Sequence, residues 1–139
     1  MDQTIIFFFA AVLIVAGLLL AIITLTKKDD PKLDTDKYRS KWLAIEQQLK
    51  RDEISSYHLC VLNADKLLDT ALRERGVKGE TMGERMKNVK DSWTSPNHVW
   101  MAHKLRNQVA HESDVQVNYD DARRALMSFK QALKDMGAI

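Results

Sequence analysis

The stretch Leu105-Arg106-Asn107-Gln108-Val109-Ala110-His111-Glu112 decides how the chain is read. Its apolar residues recur at helical spacing, and no β-branched alternation of strand length occurs around it, so it is predicted to be an amphipathic helix. Ser95-Pro96 marks the start, a side-chain acceptor followed by a proline already holding helical φ. With about 100° between successive residues, Met101, Leu105 and Val109 are expected on the inner face. His103, Arg106, Asn107, Ala110 and His111 then fall on a polar arc together with Trp100, whose size there calls for cover by another helix or a second copy of the chain. Arg106 brings a permanent cation and His111 a side chain that exchanges protons near neutral pH, a combination suited to phosphodiester chemistry. In one straight helix the two point about 140° apart. A shared grip on one phosphate therefore needs the helix to end near His111 or a second copy to supply the partner.

Working outward, the rest of the chain beyond residue 37 repeats the helical period. Tyr38, Trp42, Ile45 and Leu49 give one stripe, and Ile54, Tyr57, Val61, Ala64, Leu68 and Ala71 a longer one that should stop at Gly76. Thr81-Met82-Gly83-Glu84 has the form of a capping box opening a short helix with Met82, Met86, Val89 and Trp93 inward. Asn118 opens the last helix, striped by Tyr119, Ala122, Leu126, Phe129, Leu133 and Met136 up to Gly137. The fold class expected is all-α: a bundle of four longer helices plus one short helix.

At the other end, Ile5 to Thr26 runs 22 residues without a charge. That is long enough to cross an apolar layer about 30 Å thick. The lead Met1-Asp2-Gln3 lacks the basic start of a signal peptide, so residues 1–27 are read as a retained single-pass anchor, 28–36 as a juxtamembrane linker and 37–139 as the folded domain. Lys27, Lys28, Lys32, Lys37, Arg39 and Lys41 follow the apolar run and no Lys or Arg precedes it. This asymmetry predicts an inner (plasma) membrane protein with its N-terminus outside and its C-terminal domain cytoplasmic.

Composition removes several function classes. The formal net charge is +2, and leaving out Asp2, Lys27 and Lys28 lowers it to +1, so the domain carries no broad nucleic-acid-binding excess and any RNA contact must be local. The single cysteine, Cys60, lies in an apolar helical pattern and reads as a buried small side chain. No metal site is expected, since His103, His111 and Glu112 diverge, and no cofactor, since Gly76, Gly79 and Gly83 mark a turn and a helix start rather than a phosphate loop. His98 reads as a first-turn surface residue, His58 as a boundary residue and His103 as a packing or interface histidine. Asp65 and Asp69, four apart on the second helix, are candidate partners for Arg106, and as a carboxylate pair beside basic residues they read as a solvated face.

The run LRNQVAHE, set in an all-helical domain after a longer paired-helix region, resembles the signature of the HEPN superfamily. Arg106, Asn107 and His111 match its arginine, polar and histidine positions. VWMAHKLRNQVAHE, with ADKLLD at Ala64 to Asp69 and the YDDARRAL start of the last helix, is similar to membrane-tethered bacterial members without an assigned function. The resemblance implies a homodimer in which two signature helices face each other and build one cleft. It also implies RNA or nucleotide as ligand and, in active members, metal-independent endoribonuclease chemistry using the ribose 2′-hydroxyl. In that reading Arg106 and His111 are catalytic, His111 moving the proton and Arg106 stabilising the phosphate, while Asn107 and His103 contact substrate. A protein inhibitor or partner is a further expectation. The class alternative is a non-catalytic, membrane-tethered interaction module in which the same residues stabilise the fold or the dimer.

Overall fold

The computed structural model describes residues 2–26 and 30–139. Two of the lysines that set the predicted orientation, Lys27 and Lys28, lie outside the described residues. The chain divides into two units, residues 1–30 and 31–139.

The first unit is one helix, α1 (Gln3–Thr26), whose 24 residues rise about 36 Å. Its mean hydropathy of 3.2 over the best window makes it long and apolar enough to cross a membrane. Its last polar side chains are satisfied within the helix: the Thr24 and Thr26 hydroxyls donate back to the carbonyls of Leu20 and Ile22. This is how hydroxyls are tolerated in an apolar surrounding, where an unmatched donor is costly.

The second unit is all-helical among its described residues: α2 (Thr35–Gln48), α3 (Ile54–Glu74), the short α4 (Met82–Val89) with a 3₁₀ turn at Lys90–Ser92, α5 (Pro96–His111) and α6 (Tyr119–Asp135). The four longer helices and one short helix are those the sequence periods predict. Caps fix their limits. Asp34, Thr81 and Asn118 each accept a backbone N–H from three residues on. At Gly76, with φ of +74°, the amides of Gly76 and Val77 return to the carbonyls of Arg73 and Leu72, the paired bonds that close α3. Gly137 closes α6 in the same way.

Two predicted caps differ in detail. Glu84 accepts from the amide of Glu80 at 2.7 Å rather than from that of Thr81, so the capping box is shifted by one residue on its return arm. Ser95 makes no side-chain cap bond. Its neighbour Thr94 instead engages Asp135 through both its amide and its hydroxyl at 2.8 Å, tying the start of α5 to the end of α6.

The core is centred on α3, whose Cys60, Val61, Ala64, Leu68, Ala71 and Leu72 are completely buried. Leu33, in the segment predicted to be a polar linker, joins this core too. Acidic side chains of α3 add polar contacts to three of its neighbours. Glu74 receives Lys37 and the Tyr38 hydroxyl from α2, Asp69 receives Arg85 from α4, and Asp65 receives His103 and Arg106 from α5. Burial supplies the cohesion, and these polar pairs select the register in which the helices meet.

Candidate functional site

Val99 and Ala102 are the buried residues of α5, while Leu105 and Val109 pack partly against the core. The predicted inner face is thereby corrected: Met101 is 67% exposed. The reason lies in the rotation of the helix. The inward arc passes from Leu105 through Ala102 and Arg106 to Val99, about 100° round from Met101, and it is turned toward the polar side where Asp65 lies beneath α5.

Asp65 is 3% exposed, so its reading as part of a solvated face is overturned. Its Oδ1 accepts from His103 Nδ1 at 2.7 Å, and its Oδ2 faces Arg106 Nε at 3.3 Å. Asn107 completes the arrangement. Its Oδ1 accepts from Arg106 Nη1 at 2.9 Å and its Nδ2 lies 3.3 Å from His103 Nε2. The four side chains thus close a ring in which each touches two others. The Arg106 Nε contact is an ion pair rather than a hydrogen bond, because the N–H is buried yet not aimed at the carboxylate.

Arg106, Asn107 and His103 are therefore brought together, with the Arg106 side chain still 34% exposed. His111 is not brought to them. It is the last residue of α5 and is exposed, and its side chain makes no hydrogen bond or ion pair with the described residues. Since α5 stays helical through His111, the two residues remain about 140° and about 7.5 Å apart along the axis, and one protomer does not unite them.

The partners that the sequence reading weighed for Arg106 separate cleanly. Asp65 takes Arg106, whereas Asp69 is occupied by Arg73 and by the buried Arg85. Arg85 was missed. It is 4% exposed, with Nε and Nη2 both on Asp69 Oδ1 at 2.8 and 2.7 Å and Nη1 on the Gly79 carbonyl at 2.6 Å. The signal was its position three residues after Met82 and beside Met86, on the inner stripe of α4.

Trp100 is half-buried, 43% exposed. Its partial cover comes from α4 of its own chain, where the indole edge lies beside Gly83 and Lys87 stands 6.0 Å from the ring centroid. A separate cavity of about 750 Å³ opens between α5 and α6, lined by His98, Met101, Leu105 and Gln108 from one helix and by Arg124 and Met127 from the other. It includes none of Arg106, Asn107 and His111. Cys60 is buried and donates to the Ile45 carbonyl, and burial pushes its thiol pKa up, away from the thiolate a nucleophile needs. Among the described residues no three His, Cys, Asp or Glu side chains are grouped to hold a metal.

No protein-family model matches the chain, and neither do the curated proteins or solved structures compared with it. What defines the class here is the architecture itself: an apolar helix of membrane-spanning length followed by an α-helical bundle with a polar ring on α3 and α5.

Proposed function

We propose that the chain is a membrane-anchored HEPN-like domain that acts as a homodimer and binds RNA or nucleotide phosphate in a cleft shared by two α5 ends. The observation that carries this reading is the division of labour on α5. The Asp65 ring holds Arg106 and Asn107 rigidly at the surface, while His111 is exposed and unbonded at the end of the same helix. A guanidinium anchored by a buried carboxylate is pre-oriented, which lowers the cost of gripping a phosphate. A two-fold axis near the end of α5 would bring the imidazole of one chain toward the guanidinium of the other. Cleavage in such a cleft would be metal-independent, with His111 taking the proton of the ribose 2′-hydroxyl and Arg106 meeting the charge that builds on the phosphate. The basic residues after α1 and their absence before it support an N-terminus outside and the bundle in the cytoplasm.

A second reading is favoured by the charge of the ring. Asp65 offsets Arg106, so this pair carries no net charge to hold a phosphate. In that reading the domain is a membrane-tethered protein-interaction module and the ring is a register-fixing device.

One experiment separates them. The full-length chain in detergent micelles is incubated with labelled structured RNA in EDTA, beside His111→Ala. Binding or cutting by the wild type, with cutting abolished in His111→Ala while the dimer persists, supports the first reading. A dimer that neither binds nor cuts RNA, and that dissociates in Asn107→Ala, supports the second.

A further inference from the structure

The ring around Asp65 admits one arrangement of hydrogens. A guanidinium donates and never accepts, so Arg106 Nη1, 2.9 Å from Asn107 Oδ1, fixes which way the amide faces. The Asn107 NH₂ is thereby turned to His103 Nε2 at 3.3 Å. Nε2 must then offer its lone pair, and the single ring proton sits on Nδ1, donating to Asp65 Oδ1 at 2.7 Å. Every group is matched only while His103 is neutral.

A second proton on His103 breaks this match. Nε2–H would confront the Asn107 NH₂, donor against donor. Rotating the amide restores an acceptor to Nε2–H but turns the NH₂ toward Arg106 Nη1, again donor against donor. Either orientation forfeits one bond, while the Asp65–His103 contact is kept and strengthened by charge. We propose that His103 is a proton-operated latch on Arg106. Neutral, it holds the guanidinium in place through Asn107. Protonated, it captures the Asn107 oxygen, releases Arg106 Nη1 and leaves the ring with a net positive charge, turning a neutral surface feature into a site for a phosphate group. The inference rests on the four ring residues alone and not on a dimer.

The charged groups around His103 are few. From α3 comes Asp65, and from α5 itself Arg106. From α4, Lys87 stands over the Trp100 ring, whose centroid is 6.1 Å from that of His103. Arg85 of α4 and Arg73 are spent on Asp69, one turn along α3. Among the described residues α6 contributes no ion pair to the ring. Asp65 is thus the nearest charged neighbour of the imidazole.

The test is a titration of the full-length, ¹⁵N-labelled chain in micelles, followed by NMR from about pH 8 to about pH 5, where histidines change charge. The latch predicts that His103 passes from the Nδ1–H tautomer to imidazolium, and that the Asn107 side-chain amide and Arg106 Nε–H resonances move with the same midpoint. Added inorganic phosphate should shift that midpoint upward, because an anion held by the released guanidinium favours the protonated form by reciprocal coupling. In Asn107→Ala, His103 should still titrate while Arg106 no longer follows. Asn107 and Arg106 signals that stay fixed while wild-type His103 titrates would overturn the proposal, as would a His103 that keeps one protonation state throughout. A midpoint indifferent to phosphate would overturn the anion-binding half.

Discussion

Arg106 and Asp65 face each other at 3.3 Å, one side chain a third exposed and the other almost sealed beneath α5. The pair joins the helix that carries the RN…H motif to the central helix of the bundle, so removing the carboxylate strands a guanidinium and an imidazole donor together. Asp65→Ala is expected to cost on the order of 3 kcal/mol in urea denaturation, since breaking a buried pair is far more damaging than replacing it. Asp65→Asn, which keeps an acceptor for His103, should cost less. Equal stability of Asp65→Ala and wild type would contradict the ring.

Arg85 makes a second, independent prediction. Its fork holds α4 to α3 through Asp69 and ties the preceding loop through the Gly79 carbonyl. Lysine cannot reproduce this forked geometry. Arg85→Lys should destabilise by about 2 kcal/mol and raise amide exchange across Met82–Val89 before it does so in α6. Gly79→Ala should act on the same region, because φ is +147° and an added Cβ would stand 2.7 Å from the Arg85 amide nitrogen. Uniform exchange across the bundle in both variants would show that α4 is not held this way.

The pH dependence of stability has two limbs with assigned residues. Burial alone would raise the pKa of Glu46, but its bond with Lys130 brings it below the ordinary carboxylate range, and Asp135 is lowered likewise against burial by the Thr94 amide. The native state then binds fewer protons than the unfolded chain in acid, so stability is complete above about pH 5 and falls as pH drops through the lowered native values. Tyr38 is the opposite case. Burial first, and then its bond to Glu74, push its phenol pKa up, so the native state keeps a proton that the unfolded chain loses above about pH 10. Stability should decline above that pH. Thermal melting across pH should show a flatter acid limb in Glu46→Gln and a flatter alkaline limb in Tyr38→Phe. Unchanged limbs would reassign them to other groups.

The helices were legible because apolar period and punctuation agreed: Tyr38, Trp42 and Ile45 on α2 and Ala122, Leu126, Phe129 and Leu133 on α6 are all buried as spaced. The face of α5 was less so. Period alone chose Met101 as an inner residue, because a buried aspartate on another helix leaves no mark in the local pattern that turns Arg106 inward. His103 shows the same gap. Its neighbour in space, Asp65, is 38 positions away in sequence, and their contact depends on how two helices cross rather than on either helix alone. Arg85 was hidden because an arginine on an apolar stripe looks like a stripe ending early.

The central claim is that the end of α5 meets its copy in a second chain. It is tested most directly by mixing ¹⁵N-labelled full-length chain with unlabelled chain carrying a nitroxide at Glu112→Cys, Cys60 being buried and unlabelled. The account predicts distance-dependent broadening of the Arg106, Asn107 and His111 signals in the labelled partner. Sharp signals at all three in a protein shown to be dimeric, or broadening confined to another face, would contradict it.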